Sequence, residues 1–572
     1  VTPRTISALT VALLCALGLT LRLHGLDYLL PQRMNRDGLV IVHQAEILRT
    51  HSPHPTTPDM WWTLYPQLIA RTVSLLPDDT TERAHASTLA EHLACANFPW
   101  VQVRLVSVLF SILCIPLTYL LARHFQSRLA SLLAAGLIAT SLFHLHVSTQ
   151  EKPHATVATF ILLSVLAALR LKRKPDITSY LACGLSAALA ISSLHDGLAV
   201  LLPITAACMR RSKSTRRASI AWLAATLAII LLAVRIAYPF LFEITRTNTA
   251  SSLHADTSSL DFGEQHLRFR YFDGTGLKRA ITLFANCDPL LSLLALIGIA
   301  AWLASAFRLR EYWQRARCGD LAIVLAFVAP FFLVLALYAD TQGRFATPLL
   351  PFAACAASYG VTRLVQSLRT PKLEPACAAI VLAVASLPAF RMYAIRSEPD
   401  TFELAAHEIE HTVDPNDRIV ILPYVDIPLF HGADALAEDA KVPWRTIWVQ
   451  YQSQLGARER NGTAYEIRVM PGDRPQAREA LDADPFAYFR EHATRYVVLE
   501  GFDDDPLLAS VRQALRDKSE LVARISPLAN DDGRNDAIPP RHLEDAVECP
   551  YALQLFSARR MGSTIEIFKL PS

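Results

Sequence analysis

Residues 178–209 read TSYLACGLSAALAISSLHDGLAVLLPITAACM. The run is apolar apart from scattered small hydroxyls and one polar break at His195, Asp196 and Gly197. It forms either one long helix or two short ones broken at that point, and the two readings place everything after it on opposite sides of a membrane. Positive residues favour the cytoplasmic side. With two helices here, the loops 123–128, 170–176, 210–217, 308–319 and 367–374 all fall inside, carrying 17 lysines and arginines against three acids. A single helix would instead send RRSKSTRR, residues 210–217, outside.

Two helices are therefore expected. The other apolar runs of spanning length are 6–23, 101–122, 129–147, 153–171, 218–240, 288–307, 320–338, 345–366 and 375–391. The expected architecture is an α-helical polytopic membrane protein of about eleven transmembrane helices, residues 1–391, with the N-terminus inside. A soluble α/β domain, residues 392–572, follows on the external or periplasmic side. The composition agrees with a chain of this kind, since 52% of its 572 residues are hydrophobic and only 19% charged. A cleaved signal peptide is not expected, because the first run leads straight into Arg22 without a small-residue cleavage pattern. Six of the ten cysteines lie in the expected spans, where the residue packs as a small apolar group. Cys95, Cys287 and Cys549 are expected outside and allow at most one disulfide.

Two external loops are long, 24–100 and 241–287. The first contains GLVIVHQAEILR and LYPQLIARTVSLL, whose apolar residues recur at helical spacing and suit helices lying on the bilayer surface. The second is polar and aromatic, with HLRFRYFDG. Neither holds a glycine-rich phosphate cradle, so no nucleotide and no nucleic acid is an expected partner. In the outer domain, TFELAAHEIEHTV and PLLASVRQALRDKSEL read as helices. RIVIL, RYVVLEG and STIEIFKL read as strands, and the alternation points to a layered α/β fold.

The order of several motifs resembles a known family. Arg22 and Leu23, Asp37, HPTTPDMWWTLYPQL (54–68), STQEKPHATVATF (148–160), GRFATPLLPF (343–352) and the closing GSTIEIFKLP are similar to the dolichyl-phosphate-mannose protein mannosyltransferase and aminoarabinose transferase group of C-type membrane glycosyltransferases. The resemblance implies an inverting glycosyltransferase that moves a sugar from a polyprenyl-phosphate-linked donor to a lipid, protein or glycan acceptor outside, among membrane lipids.

Such chemistry needs a base for the acceptor hydroxyl and cations for the departing phosphate. Asp37 matches the family's first-loop acid and is the expected base, although Gly38 stands where many relatives carry a second acid. Where many relatives carry an acid in the loop before the fourth span, the matching position here is His154, with Glu151 three residues earlier; either could replace it, and both are candidate catalytic residues. Arg344, Lys152 and His195 are the candidate phosphate-binding residues, Arg foremost for its permanent forked charge. No cofactor is assigned, and a divalent metal on Asp37, Glu151 and His154, whose donor types would suit one, stays open.

Each candidate has a plainer reading. Asp37 could cap the helix GLVIVHQAEIL, Arg344 could anchor at the interface, Glu151, Lys152 and His154 could form a solvated turn, and His195 with Asp196 could be a local turn. Tyr65 and Pro66 read as shaping their surface helix. Two other classes compete: a lipid-linked substrate flippase or transporter, suggested by the broken pair at His195, and a catalytically inactive lipid-binding relative, suggested by Gly38 and His154.

Overall fold

The computed structural model describes residues 2–31, 36–50, 63–73, 86–209, 216–238, 259–262, 265–268, 272–308, 316–339, 341–368, 371–423, 425–439, 446–455, 462–469, 475–501, 506–529 and 551–571. Its membrane part is built from α1 (Pro3–Leu23), α2 (Arg36–Thr50), α3 (Leu64–Val73), α4 (Leu89–Arg123), α5 (Arg128–Thr140), α6 (Leu142–Ser148), α7 (His154–Arg173) and α8 (Ile177–Ser193). There follow α9 (Leu201–Met209), α10 (Arg216–Ala237), α11 (Thr275–Cys287), α12 (Pro289–Arg308), α13 (Ala316–Leu337), α14 (Leu350–Ser367) and α15 (Glu374–Ile395). Among the described residues seven helices are long and apolar enough to cross a membrane, and nine when each of two bent pairs counts as one crossing. A count of eleven also needs two shorter apolar helices, Ile177–Ser193 and His195–Met209.

Those two come from the stretch at 178–209, which is broken as its polar residues require. The Leu194 N–H closes the end of α8 on the Ala190 carbonyl at 3.2 Å, and the Gly197 N–H bonds back to Leu194 O at 2.9 Å. A Cβ on Gly197 would lie 2.3 Å from the Ala190 carbonyl carbon, so the chain doubles back more tightly than any side chain permits.

The expected span at 129–147 is also broken, bending by 51° between α5 and α6. A bend exposes carbonyls on one side and N–H groups on the other, and in an apolar setting both need partners. Arg22, fully buried at the end of α1, donates to the Ala139 carbonyl at 3.1 Å and the Ile138 carbonyl at 3.4 Å, and to Ser148 Oγ at 2.9 Å. On the other side the Asp288 carboxylate accepts from the N–H groups of Leu142 (2.9 Å) and Phe143 (3.2 Å) and from Ser141 Oγ (2.6 Å). The stitched break fixes α6, and α6 presents the turn at 149–153.

Three further expectations are corrected. The span at 101–122 is the inner part of a 35-residue helix beginning at Leu89, where a Thr88–Glu91 capping box starts it. Part of the 241–287 loop is the helix α11, bent by 117° against the helix after it. In the outer domain the helix Pro506–Lys518 stops short of Leu521, because a strand begins at Glu520.

The outer domain carries a five-stranded sheet. Numbering the strands along the chain, β1 (Ser259–Phe262) and β2 (Gln265–Arg268) make a separate hairpin. Next come β3 (Arg418–Leu422), β4 (Phe430–His431), β5 (Ala464–Tyr465), β6 (Ile467–Val469), β7 (Thr494–Glu500), β8 (Glu520–Ile525) and β9 (Ile565–Lys569). The main sheet runs β6-β3-β7-β9-β8, with β3 parallel to β6 and β7, and β9 antiparallel to β7 and β8. RIVIL, RYVVLEG and IEIF thus form its centre, and one of its faces is closed by Phe489, Leu508, Val511 and Leu515.

This domain, residues 392–572, packs on one end of the membrane part. The first two turns of α4 enter it: His92 Nδ1 lies 3.0 Å from Tyr451 Oη, Cys95 and Ala96 pack with Phe430 and Trp448, and Trp100 packs with Leu30 and Ile447. At the junction Asp400 caps the domain's first helix (Thr401–Thr412), accepting from the N–H groups of Phe402 and Glu403 at 2.8 and 2.9 Å. Burial, reinforced by the Glu403 carboxylate, pushes its pKa up to about 7.

Between pH 3.8 and about 7 the folded protein therefore holds a proton on Asp400 that the unfolded chain has released. Stability from this group is full below pH 3.8 and is lost as pH rises through about 7, by at most about 4 kcal/mol. Between pH 5.5 and 8.5 the apparent melting temperature is expected to fall, and Asp400→Asn, which keeps a capping side chain, flattens that fall. Equal slopes for parent and variant would refute this reading.

Candidate active site

The turn between α6 and α7 gathers the candidate residues. Pro153 sits immediately before α7, where its missing N–H costs nothing. Glu151, Lys152 and His154 are 2%, 2% and 4% exposed. The solvated-turn reading is overturned: this is a buried charged turn at the end of the bundle that bears the C-terminal domain.

Burying Glu151 requires a counter-charge. Arg104, from α4, donates Nε to Glu151 Oε1 at 2.5 Å and Nη1 to the Leu26 and Tyr28 carbonyls at 2.7 and 3.0 Å. Its guanidinium lies 4.7 Å from the Tyr28 ring centroid, and that of Arg396, just beyond α15, lies 4.0 Å from the same ring. Arg396 Nη2 donates to Thr149 Oγ1 at 3.0 Å. The segment after α1, the 149–151 turn, α4 and the end of α15 are thereby clamped together by charge-assisted hydrogen bonds.

Asp37 falls in the first turn of α2, which begins at Arg36, so it is not the residue preceding the helix. Its side chain lies outside the described residues. Its neighbour Gly38 is described, and it abuts Glu151. A Cβ there would lie 3.2 Å from Glu151 Cβ, 3.2 Å from Trp100 Cζ3 and 3.4 Å from Glu151 Oε2. An acidic side chain at position 38 would meet the Glu151 carboxylate, and glycine instead lets α2 seat on the turn.

Arg344 arrives from the short 3-10 helix Gly343–Leu349, which packs on α7. It is 7% exposed, its guanidinium lies 5.4 Å from the Phe345 ring, and the same ring lies 5.4 Å from the His154 imidazole. The charges of Arg344 and Lys152 both act on His154, and that of Arg344 also acts on Asp196. His195 begins the 3-10 helix His195–Val200, which packs on α7, and its ring lies edge-on to Tyr238 at 6.0 Å. The structure thus brings together Glu151, Lys152, His154 and Arg344, with Gly38 against Glu151 and the 195–196 break on a neighbouring helix. Tyr65, by contrast, is fully buried with Ile41, Ile69 and Val103, as a residue that shapes its helix should be.

Among the described residues no three His, Cys, Asp or Glu side chains are grouped to hold a metal ion. Of the three residues that would suit a metal, the Glu151 carboxylate is paired with a guanidinium, the His154 ring lies tilted 5.4 Å from Phe345, and the Asp37 side chain lies outside the described residues. Paired in this way, Glu151 does not fit a metal centre.

Three contributors were missed from sequence: Arg104, Tyr28 and Arg396. A signal existed for the first, a lone arginine in the apolar run WVQVRLVSVLF, since a charge at such a place has a partner or a function. Nothing local marks Tyr28 or Arg396, whose roles come from contacts across the chain.

Residues 89–238, which include Arg104, Glu151, Lys152, His154 and His195, match the family described as dolichyl-phosphate-mannose-protein mannosyltransferase. That stretch of the chain carries the family's sequence pattern. No curated protein matches the chain. Among solved structures, the archaeal oligosaccharyltransferase AglB from Archaeoglobus fulgidus, in complex with an inhibitory peptide and a dolichol-phosphate, is similar with TM-score 0.49 and 13% identity, covering 99% of this chain and 88% of that one. ArnT from Cupriavidus metallidurans, bound to undecaprenyl phosphate, is similar with TM-score 0.43 and 13% identity, over 92% of this chain and 97% of that one. The S. cerevisiae Pmt1-Pmt2 complex bound to the sugar donor gives TM-score 0.31 and 18% identity, over 49% of this chain and 37% of that chain.

Proposed function

We propose that this chain is an inverting membrane glycosyltransferase that moves a sugar from a polyprenyl-phosphate donor to an acceptor hydroxyl on the external face. The observation that carries the reading is the convergence of Arg344, Lys152, His154 and the Glu151–Arg104 pair on the end of the bundle that bears the outer domain. The family match over residues 89–238 supports it. In this reading Asp37 takes the acceptor proton while the acceptor oxygen bonds to the anomeric carbon. The sugar–phosphate C–O bond breaks with its electron pair on the phosphate, which Arg344 and Lys152 stabilise. The Glu151–Arg104 pair positions α2, and with it Asp37, against the turn. A transporter is less well supported, because these charges gather at one end of the bundle rather than along a path through it.

The test is a transfer assay with purified protein and a polyprenyl-phosphate sugar. Arg344→Ala removes a charged contact of about 1.5–3 kcal/mol and is expected to weaken donor binding roughly 10- to 100-fold, with loss of turnover. Unchanged donor affinity would remove Arg344 from the phosphate site. Movement of the lipid across the bilayer without sugar transfer would favour the transporter. The external placement rests on the basic inner loops; a reporter active only in the cytoplasm, fused behind the 392–572 domain, is expected to stay silent, and strong activity would invert the topology.

A further inference from the structure

One apolar surface of the outer domain is left open beside a membrane helix. The segment 551–558 returns from the domain to the bundle and is tied there: the Ala552 N–H bonds to Asn286 O at 2.8 Å, and Arg391 of α15 donates Nε to Leu555 O at 3.1 Å and also bonds the Ala558 carbonyl. Leu555 and Ala558 point inward and are fully buried, whereas Leu553 is 80% and Phe556 52% exposed. In water, two such side chains on a short tethered turn would be a liability.

The surface beside them is apolar as well. Leu553 and Phe556 border a crevice of about 180 Å³ together with Val384, Leu387 and Pro388 of α15, and its lining is apolar apart from Ser141 and Asp288, whose polar atoms are engaged with each other and with the Leu142 and Phe143 N–H groups. Val384, Leu387 and Phe390 are about half exposed, and this exposed face belongs to a helix apolar and long enough to span the bilayer. Taking Arg391 as the first cation at the outer end of α15, Leu387 and Val384 lie about 6 and 10 Å further in at 1.5 Å per residue, the depth at which interfacial anchors bury apolar side chains. Arg391 holds the turn by its carbonyls, and Arg559 and Arg560 follow the turn in sequence, with Glu398 acting on Arg560; the excess is positive, which complements anionic lipid headgroups.

We infer that residues 551–558 form a lipid-embedded foot of the outer domain, with Leu553 and Phe556 in the outer leaflet and a phospholipid acyl chain in the crevice beside them. The patch is continuous with the lipid-facing surface of α15, and the flanking cations match an anionic phospholipid. The foot holds the domain down on the membrane independently of whether the site below it transfers sugar.

The test uses the full chain in vesicles of phosphatidylglycerol and phosphatidylethanolamine. A nitroxide is attached at Leu553→Cys, at Phe556→Cys and, as a control on the exposed strand β8, at Leu521→Cys, with the labelled parent as background. Relaxation by oxygen, which partitions into lipid, is compared with relaxation by a water-soluble nickel chelate. The expected oxygen-to-nickel ratio is above one at 553 and 556 and below one at 521. Ratios at 553 and 556 equal to that at 521 would overturn the inference. A loss of oxygen access at these positions on adding polyprenyl phosphate would give the crevice to the donor chain and would also overturn it.

Discussion

Replacing Asp37 with asparagine is expected to lower sugar transfer by roughly 100-fold or more while leaving donor binding nearly intact, the scale for losing a general base. Asparagine keeps the size and much of the hydrogen bonding of the acid but accepts no proton. Donor affinity is expected to survive because, in the proposed mechanism, the phosphate is held by Arg344 and Lys152, on other segments of the chain. The separation of effects is what identifies a base: turnover falls at Asp37, whereas both binding and turnover fall at Arg344. Transfer at the parent rate by Asp37→Asn would move the base elsewhere. The assay is run with and without a chelator, since inhibition by the chelator would argue for a metal despite the poor fit of Glu151.

The second large effect concerns Arg104. Arg104→Met leaves the Glu151 carboxylate buried without its cation and strips a donor from the Leu26 and Tyr28 carbonyls. Breaking a buried pair from one side costs about 3–5 kcal/mol, so a large drop in apparent melting temperature is expected together with loss of transfer. Glu151→Gln on top of Arg104→Met is expected to recover much of the stability, because the uncompensated charge is gone, and to recover little of the transfer. A double variant no more stable than Arg104→Met alone would show that the carbonyl contacts, not the ion pair, dominate. An Arg104→Met protein with parental melting and activity would remove the pair from the site altogether.

The membrane segments were legible because an apolar run of spanning length has few alternatives, and the break at 178–209 was legible because one polar triplet and a lopsided charge distribution pointed the same way. The strands RIVIL and RYVVLEG were read from local composition alone. What escaped depends on partners distant in sequence. The broken helix at Ser141 is made tolerable by Arg22 and Asp288, one from an earlier and one from a later segment. The outward extension of α4 from Leu89 runs through LAEHLACANFPW, which is too polar in its first turns to read as a span and is made helical by packing under Trp448 and Phe430. For the site, the charged turn and Arg344 were visible as residues, but their burial was not, since nothing near Glu151 in sequence announces Arg104.

The length of α4 bears on how proteins of this build can be recombined. Its outer turns belong by packing to the domain that begins some three hundred residues later, while its inner turns carry Arg104 into the bundle. A cut at the apparent boundary near residue 392 would therefore divide a unit that the molecule itself does not divide, baring Cys95, Ala96 and Trp100. A transplant of the outer domain onto another bundle has to bring residues 86–100 with it, so the smallest exchangeable module is discontinuous in the gene.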